Sequence, residues 1–309
     1  MRWTHALGGA LLCAVLGCSA PTPIEGRLPA PHRQAPLASV ELQLLPDWSP
    51  SVNLGEPYGI AVDRNGTVYL SDYSGGRLLV LSEEGNLLAE LGAYGSAVGE
   101  LGGPGDLCLY ELGTLPHLYI AERENRRVQR LIPSRAQFEI VLPEARGILP
   151  RAIGVGRSGR LYVLDGRTRR VWRFAPDGAA EPWGAVELID PSDLAVGQGE
   201  ALLIADPGQG AALILDFTGA LQRRLGAEEG LHRPTAAAAD RFGRWYLWDA
   251  GRRRLFVLDP AGDPLGELQL SAVGEIAGMS VANNTLWMTD GERRRLLRIR
   301  IVEKREDTP

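Results

Sequence analysis

Short apolar runs separated by glycine-containing turns recur along most of this chain. The clearest copy starts at Pro57: a small, apolar run through Val62, the turn Asp63–Gly66, then a second run, Val68–Asp72, that ends on an acid. A third run, Leu78–Leu81, a second glycine turn at Glu83–Gly85 and a fourth run, Leu87–Leu91, complete the unit. The interval from the leading proline to the closing acid is the same in Pro57/Asp72, Pro150/Asp165, Pro191/Asp206 and Pro234/Asp249. A fifth copy, Pro104 to Glu122, has three extra residues in its first turn. A sixth, Ile276 to Asp290, is one residue shorter and lacks the proline.

Short strands repeating at a period of about 40 residues are the pattern of a propeller blade. The turns Asp63–Gly66, Gly156–Gly159 and Asp240–Gly243 end on glycine, which accepts the positive φ that tight hairpins require. The sixth copy stops after its third strand, Leu296–Ile301, so its outer strand is missing. The segment Val40–Leu44 alternates like a strand and has no copy of its own. The sequence therefore predicts an all-β fold, a six-bladed β-propeller of four-stranded antiparallel blades, closed by an N-terminal strand that completes the last blade.

The pattern resembles the NHL repeat family and is similar to the TolB-like and YWTD-like six-bladed propellers; the resemblance covers residues 39–302. The fourth copy departs most. Five copies place Arg five residues after the acid (Asp72/Arg77, Glu122/Arg127, Asp165/Arg170, Asp249/Arg254, Asp290/Arg295), whereas Asp206 is followed by Pro207 and Gly208.

The N-terminus reads differently. Arg2 is followed by an apolar core, Ala6–Leu16, too short for the ~20 residues that span a bilayer. Val15, Leu16, Gly17, Cys18 and Ser19 resemble a bacterial lipobox, which makes residues 1–17 a lipoprotein signal peptide and Cys18 the acylated N-terminus. A plain signal peptide cleaved nearby is the alternative. Residues 18–38 carry Pro21, Pro23, Pro29, Pro31 and Pro36 without apolar periodicity and read as an extended tether. Residues 303–309 form a charged tail. The resemblance, with Ser19 after the cysteine, implies a bacterial cell-envelope location on the periplasmic face of the outer membrane.

Composition narrows the function. The chain has 309 residues, 45% hydrophobic and 23% charged, which excludes a disulfide knot and a wholly disordered chain. Its net charge of -5 argues against nucleic acid as partner. Of three cysteines, Cys13 leaves with the signal and Cys18 takes lipid. Cys108 stays alone, so no intramolecular disulfide is expected.

The acids Asp72, Glu122, Asp165, Asp206, Asp249 and Asp290 suit a structural task, accepting hydrogen bonds from the following turn and pairing with the third-strand arginine. The segments before the first strands and after the second strands should share one face. Tyr58, Tyr73, Asp106, Arg123, Arg151, Arg167, Asp193, Thr235, Arg252 and Arg293 are its candidate binding residues. No catalytic residue is assigned. Histidine is scarce, with His117 and His232 alone in the propeller and in different blades, so no metal site is assigned and no cofactor is expected, with a divalent cation left open. The expected function is a lipid-anchored binding module that recognises an envelope protein, acting as a monomer. The alternative is a divalent-metal-dependent propeller hydrolase or lyase, as in the gluconolactonase-like relatives that bind a divalent cation through channel side chains.

Overall fold

The computed structural model describes residues 37–305 apart from 47, 49, 113 and 114. The predicted signal peptide, Cys18, most of the tether and residues 306–309 lie outside the described residues. The described strands are β1 (Leu37–Leu44), then β2 (Pro57–Val62), β3 (Val68–Asp72), β4 (Arg77–Leu81) and β5 (Leu87–Leu91) in blade one. Blade two holds β6 (Pro104–Leu112), β7 (Leu115–Glu122), β8 (Arg127–Ile132) and β9 (Gln137–Leu142). Blade three holds β10 (Pro150–Val155), β11 (Leu161–Asp165), β12 (Arg170–Phe174) and β13 (Ala180–Trp183). Blade four holds β14 (Asp193–Val196), β15 (Leu202–Asp206), β16 (Ala211–Leu215) and β17 (Leu221–Leu225). Blade five holds β18 (Pro234–Ala239), β19 (Trp245–Asp249), β20 (Arg254–Leu258) and β21 (Pro264–Gln269). The last blade holds β22 (Ile276–Ala282), β23 (Thr285–Asp290) and β24 (Arg295–Arg305).

Each blade is a four-stranded antiparallel sheet, and the last has the order β1-β24-β23-β22. Its outer strand is thus the chain's first. Val40 faces Glu303, Leu42 faces Ile301 and Leu44 faces Ile299 across this seam. β1 starts at Leu37 and β24 continues to Arg305, and because these residues pair with each other the seam is longer at that one end than the alternating segments suggested.

The core is divided among the blade interfaces. Trp48 and Trp287 meet edge to face at 5.5 Å between the last blade and the first, packed with Ile60, Leu70 and Leu79. Val40 and Leu42 bury against Trp248, Leu255 and Ile299 between blades five and six. Second-strand residues are buried throughout, because each lies in the middle of a sheet covered on both faces.

Neighbouring first strands approach each other closely where glycine stands. A Cβ on Gly59 would come within 2.4 Å of the Gly105 carbonyl, and one on Gly278 within 2.8 Å of the Tyr58 carbonyl. Register shifts near the start of β2, β6, β10, β18 and β22 bend these strands at the same place.

The closing acids cross-brace the ring. Asp72 accepts from the Glu56 and Gly75 N–H groups and from Arg77 Nε at 2.9 Å. Glu122 does more, accepting from Gly102 N, Asn125, Gln129 and Arg127 Nε. Asp290 pairs with Arg295 at 3.2 Å. Two of the expected arginine pairs do not form. Thr168 and two backbone N–H groups hold Asp165, and Arg254 is drawn to Glu267 on the neighbouring strand. Asp206 and Asp249 rest on backbone N–H donors, Asp206 with Gln209 in addition.

The seam yields a stability test. Leu42→Ala removes apolar contact at the closing strand and is expected to cost about 2–4 kcal/mol. The measurement is the denaturant midpoint with an unchanged m-value. A loss under about 0.5 kcal/mol would show that β1 does not hold the ring shut.

Candidate functional site

The axis of the ring is a channel of about 770 Å³. Its wall is built from the second half of each first strand, with Ile60, Leu107, Ile153, Leu194, Ala237 and Met279 at one level. It opens at the turns between first and second strands, where Arg64, Glu111, Arg157, Phe242 and Asn283 line it. That side is the hairpin face; the opposite side, from which the first strands start, is the loop face.

Asp106 and Asp193 form the channel's inner end. They occupy equivalent positions, each two residues after the leading proline of its copy, in blades two and four. Asp106 Oδ1 accepts from Leu107 N at 2.8 Å and Oδ2 from Ile153 N in blade three at 2.7 Å. Asp193 repeats this with Leu194 N and with Ala237 N in blade five, both at 2.8 Å. First strands are inner edges, so their N–H groups face the axis without a partner strand. The two carboxyls satisfy four of them and staple consecutive blades.

Burial pushes the Asp106 carboxyl up to about 7, against the opposing pull of its two backbone donors. Burial also raises Asp193 well above the usual carboxylate range, with the nearby Asp106 adding to it. Burial likewise raises the Cys108 thiol in the channel wall, so this cysteine is held as the unreactive thiol.

On the loop face, Tyr58, Tyr73 and Arg123 come together. The Tyr58 and Tyr73 rings lie 5.8 Å apart. Arg123 Nη1 donates to the Tyr58 hydroxyl at 3.2 Å, and its guanidinium sits 5.9 Å from the Tyr58 ring centre. Tyr94, which the sequence did not single out, adds a third tyrosine: it is 67% exposed and donates to Glu124 at 3.0 Å. Burial raises the Tyr58 hydroxyl, Arg123 opposes that, and Asp106 and Asp193 reinforce it. Arg151 reaches Asp190 at 2.8 Å. The Thr235 carbonyl accepts from Ser192, tying blades four and five, while the Thr235 hydroxyl is buried without a hydrogen-bond partner. The other candidates stand in their own blades: the Arg167 and Arg252 N–H groups bind Asp165 and Asp249, and Arg293 lies 3.8 Å from Asp290.

Of the ten candidate face residues, only Asp106 and Asp193 line the channel. The hairpin mouth was missed, although its turns were visible in the sequence. The three-residue insertion of copy two lengthens the β6–β7 hairpin and carries Tyr110 and Glu111 to that mouth; the Tyr110 hydroxyl donates to the Arg157 carbonyl at 3.3 Å. His117 and His232 do not line the channel: His117 packs on Tyr110, and His232 N–H binds Asp249.

No family model matches the chain, and no curated protein does. Solved structures match it over most of its length. A gluconolactonase from Xanthomonas campestris is 20% identical, covers 86% of this chain and 91% of its own, and has a TM-score of 0.64. A virginiamycin B lyase from Staphylococcus aureus is 16% identical with coverages of 87% and 90% and a TM-score of 0.61. A PQQ-bound aldose sugar dehydrogenase from Streptomyces coelicolor is 15% identical with coverages of 87% and 100% and a TM-score of 0.63. At these identities the likeness establishes the six-bladed propeller and nothing about chemistry.

The channel acids predict a pH dependence. Asp106 binds its proton more tightly folded than unfolded, so the native state carries more protons between about pH 4 and 7. Its contribution to stability is complete below that window and is lost as the pH rises through about 7. Asp193 acts in the same direction. Asp106→Asn should flatten the fall in melting temperature between about pH 5 and 8. It should also cost about 1–3 kcal/mol at low pH, since one backbone N–H then faces an amide NH₂. An unchanged slope would refute this account.

Proposed function

We propose that the chain is a lipid-anchored, extracytoplasmic propeller that acts as a binding module, held at the bacterial outer membrane through Cys18 and presenting its loop face to an envelope protein. One observation carries the reading: the half-buried Tyr58–Tyr73–Arg123 cluster with exposed Tyr94 at its edge. Tyrosine and arginine dominate the energetics of protein interfaces, and here they are held in place before any partner arrives. A tether ending in acyl chains raises the local concentration of such a face at the membrane. The NHL-like repeat pattern supports the same reading, since it builds a rigid ring with no chemistry of its own.

The second reading, a metal-dependent hydrolase or lyase, is favoured by the structural neighbours, which include gluconolactonases and a lyase. The donor set does not suit it. A divalent cation held by oxygen ligands takes six or more, drawn from several ionised carboxylates, amides and waters. Asp106 and Asp193 each have both oxygens engaged by backbone N–H groups, and burial favours their protonated forms. Among the described residues, no group of three or more His, Cys, Asp and Glu side chains converges to hold a metal.

Cross-linking in intact cells, capture of the tagged protein and mass spectrometry test the proposal. A reproducible partner is expected, and Tyr73→Ala or Arg123→Ala should weaken its binding by about 30-fold, a loss of roughly 2 kcal/mol. Undiminished capture by both variants would move the contact off this face. Cys18→Ala should shift the protein from the membrane to the soluble fraction; retention at unchanged mass would remove the anchor. Hydrolysis of gluconolactone that depends on added calcium or magnesium and is lost in Asp106→Asn would establish the second reading instead.

A further inference from the structure

The hairpin mouth has a symmetry that neither the loop-face cluster nor the fold requires. Three first turns carry arginine at the same place, two residues after the first strand ends: Arg64 after Asp63, Arg157 after Gly156 and Arg241 after Asp240. They belong to blades one, three and five, and alternate blades of a six-bladed ring stand a third of a turn apart. All three arginines are exposed and line the channel opening. Between them, the last blade contributes the exposed amides of Asn283 and Asn284.

Counter-charge at this mouth is mostly committed elsewhere. Asp240 is held by Arg244 and by the Tyr246 hydroxyl, and Glu200 by Arg160 and the Tyr162 hydroxyl. Glu111 is itself engaged by Arg64, accepting from its backbone N–H and pairing with its guanidinium at 3.9 Å. Among the described residues, Arg157 and Arg241 make no ion pair; the Arg241 guanidinium stacks 4.7 Å from the Phe242 ring centre, which leaves its edge donors free to face a ligand. Below the ring, the wall is aliphatic, and the acids at the channel's inner end are raised toward their neutral forms by burial. Low-dielectric walls under a ring of like charge focus the potential at the opening.

We propose that this mouth binds a small organic anion carrying two or more negative charges, its carboxylate or phosphate groups on Arg64, Arg157 and Arg241 and its uncharged body in the channel. Guanidinium forks match both oxyanions bidentately, and three forks spaced around an axis select for more than one charged group. The site is on the face opposite the tyrosine cluster, so it stands whether or not that cluster takes a protein.

The test is isothermal titration of the full chain, purified in detergent, with citrate, with pyrophosphate and with glucose as the uncharged control. At least one anion should bind at one per chain, glucose should not, and the affinity should fall as salt is raised. Arg157→Gln combined with Arg241→Gln should weaken binding by about tenfold or more, and the paired lysine variants by less, since charge persists without the fork. Arg252→Gln combined with Arg253→Gln, on the loop face, controls for net charge. Unaltered circular dichroism and melting temperature are expected for all three pairs, whose side chains are exposed. Binding of neither anion, equal affinity in the Arg157/Arg241 glutamine pair, or an equal loss in the loop-face control would each overturn the site.

Discussion

A four-stranded sheet with apolar residues on both faces cannot stand alone in water, and in this protein each blade is covered only by its two neighbours. The arrangement is stable only if the row of blades closes. Closure rests on one antiparallel pairing, β1 on β24, made between the two ends of the described chain. It supplies the missing fourth strand of the last blade and sets Val40 and Leu42 into the interface with blade five. The contact of Trp48 with Trp287 seals the other side of the same blade. Among the described residues, contacts between the two ends of the sequence are therefore the ones on which every local blade interface depends.

Closing six sheets around an axis creates a second constraint. The first strands become inner edges, and their N–H groups point toward the axis without a partner strand. Blades two and four meet this with aspartates that each bridge to the next blade. The same two groups would be the obvious acids for catalysis in a channel. Their engagement by backbone donors and their burial turn them toward structure, which is why a fold shared with lactonases and a lyase is not evidence for either reaction here.

The two ends of the ring have diverged in character. The loop face gathers aromatic rings and one arginine into a preset cluster, chemistry suited to a protein surface. The hairpin face surrounds the channel with exposed guanidinium groups, chemistry suited to a small anion. A rigid ring permits this separation because neither face has to deform for the other to be occupied.

The repeat itself was legible in the sequence. Fifteen-residue intervals from proline to acid, glycine-ended turns and alternating apolar runs are local properties, so the number of blades, the strand order within each and the role of Val40–Leu44 followed from them. The acids Asp72, Glu122 and Asp290 with their arginines were legible for the same reason, since both partners lie five residues apart on adjoining strands. Arg254 was misread because its preferred partner, Glu267, lies on the next strand, where register and not spacing decides contact. The burial of Asp106 and Asp193, the pairing of Tyr58 with Arg123, and the placement of Arg64, Arg157 and Arg241 around one mouth were decided by tertiary structure alone. Each joins residues from different blades, and only ring closure brings those blades around one axis.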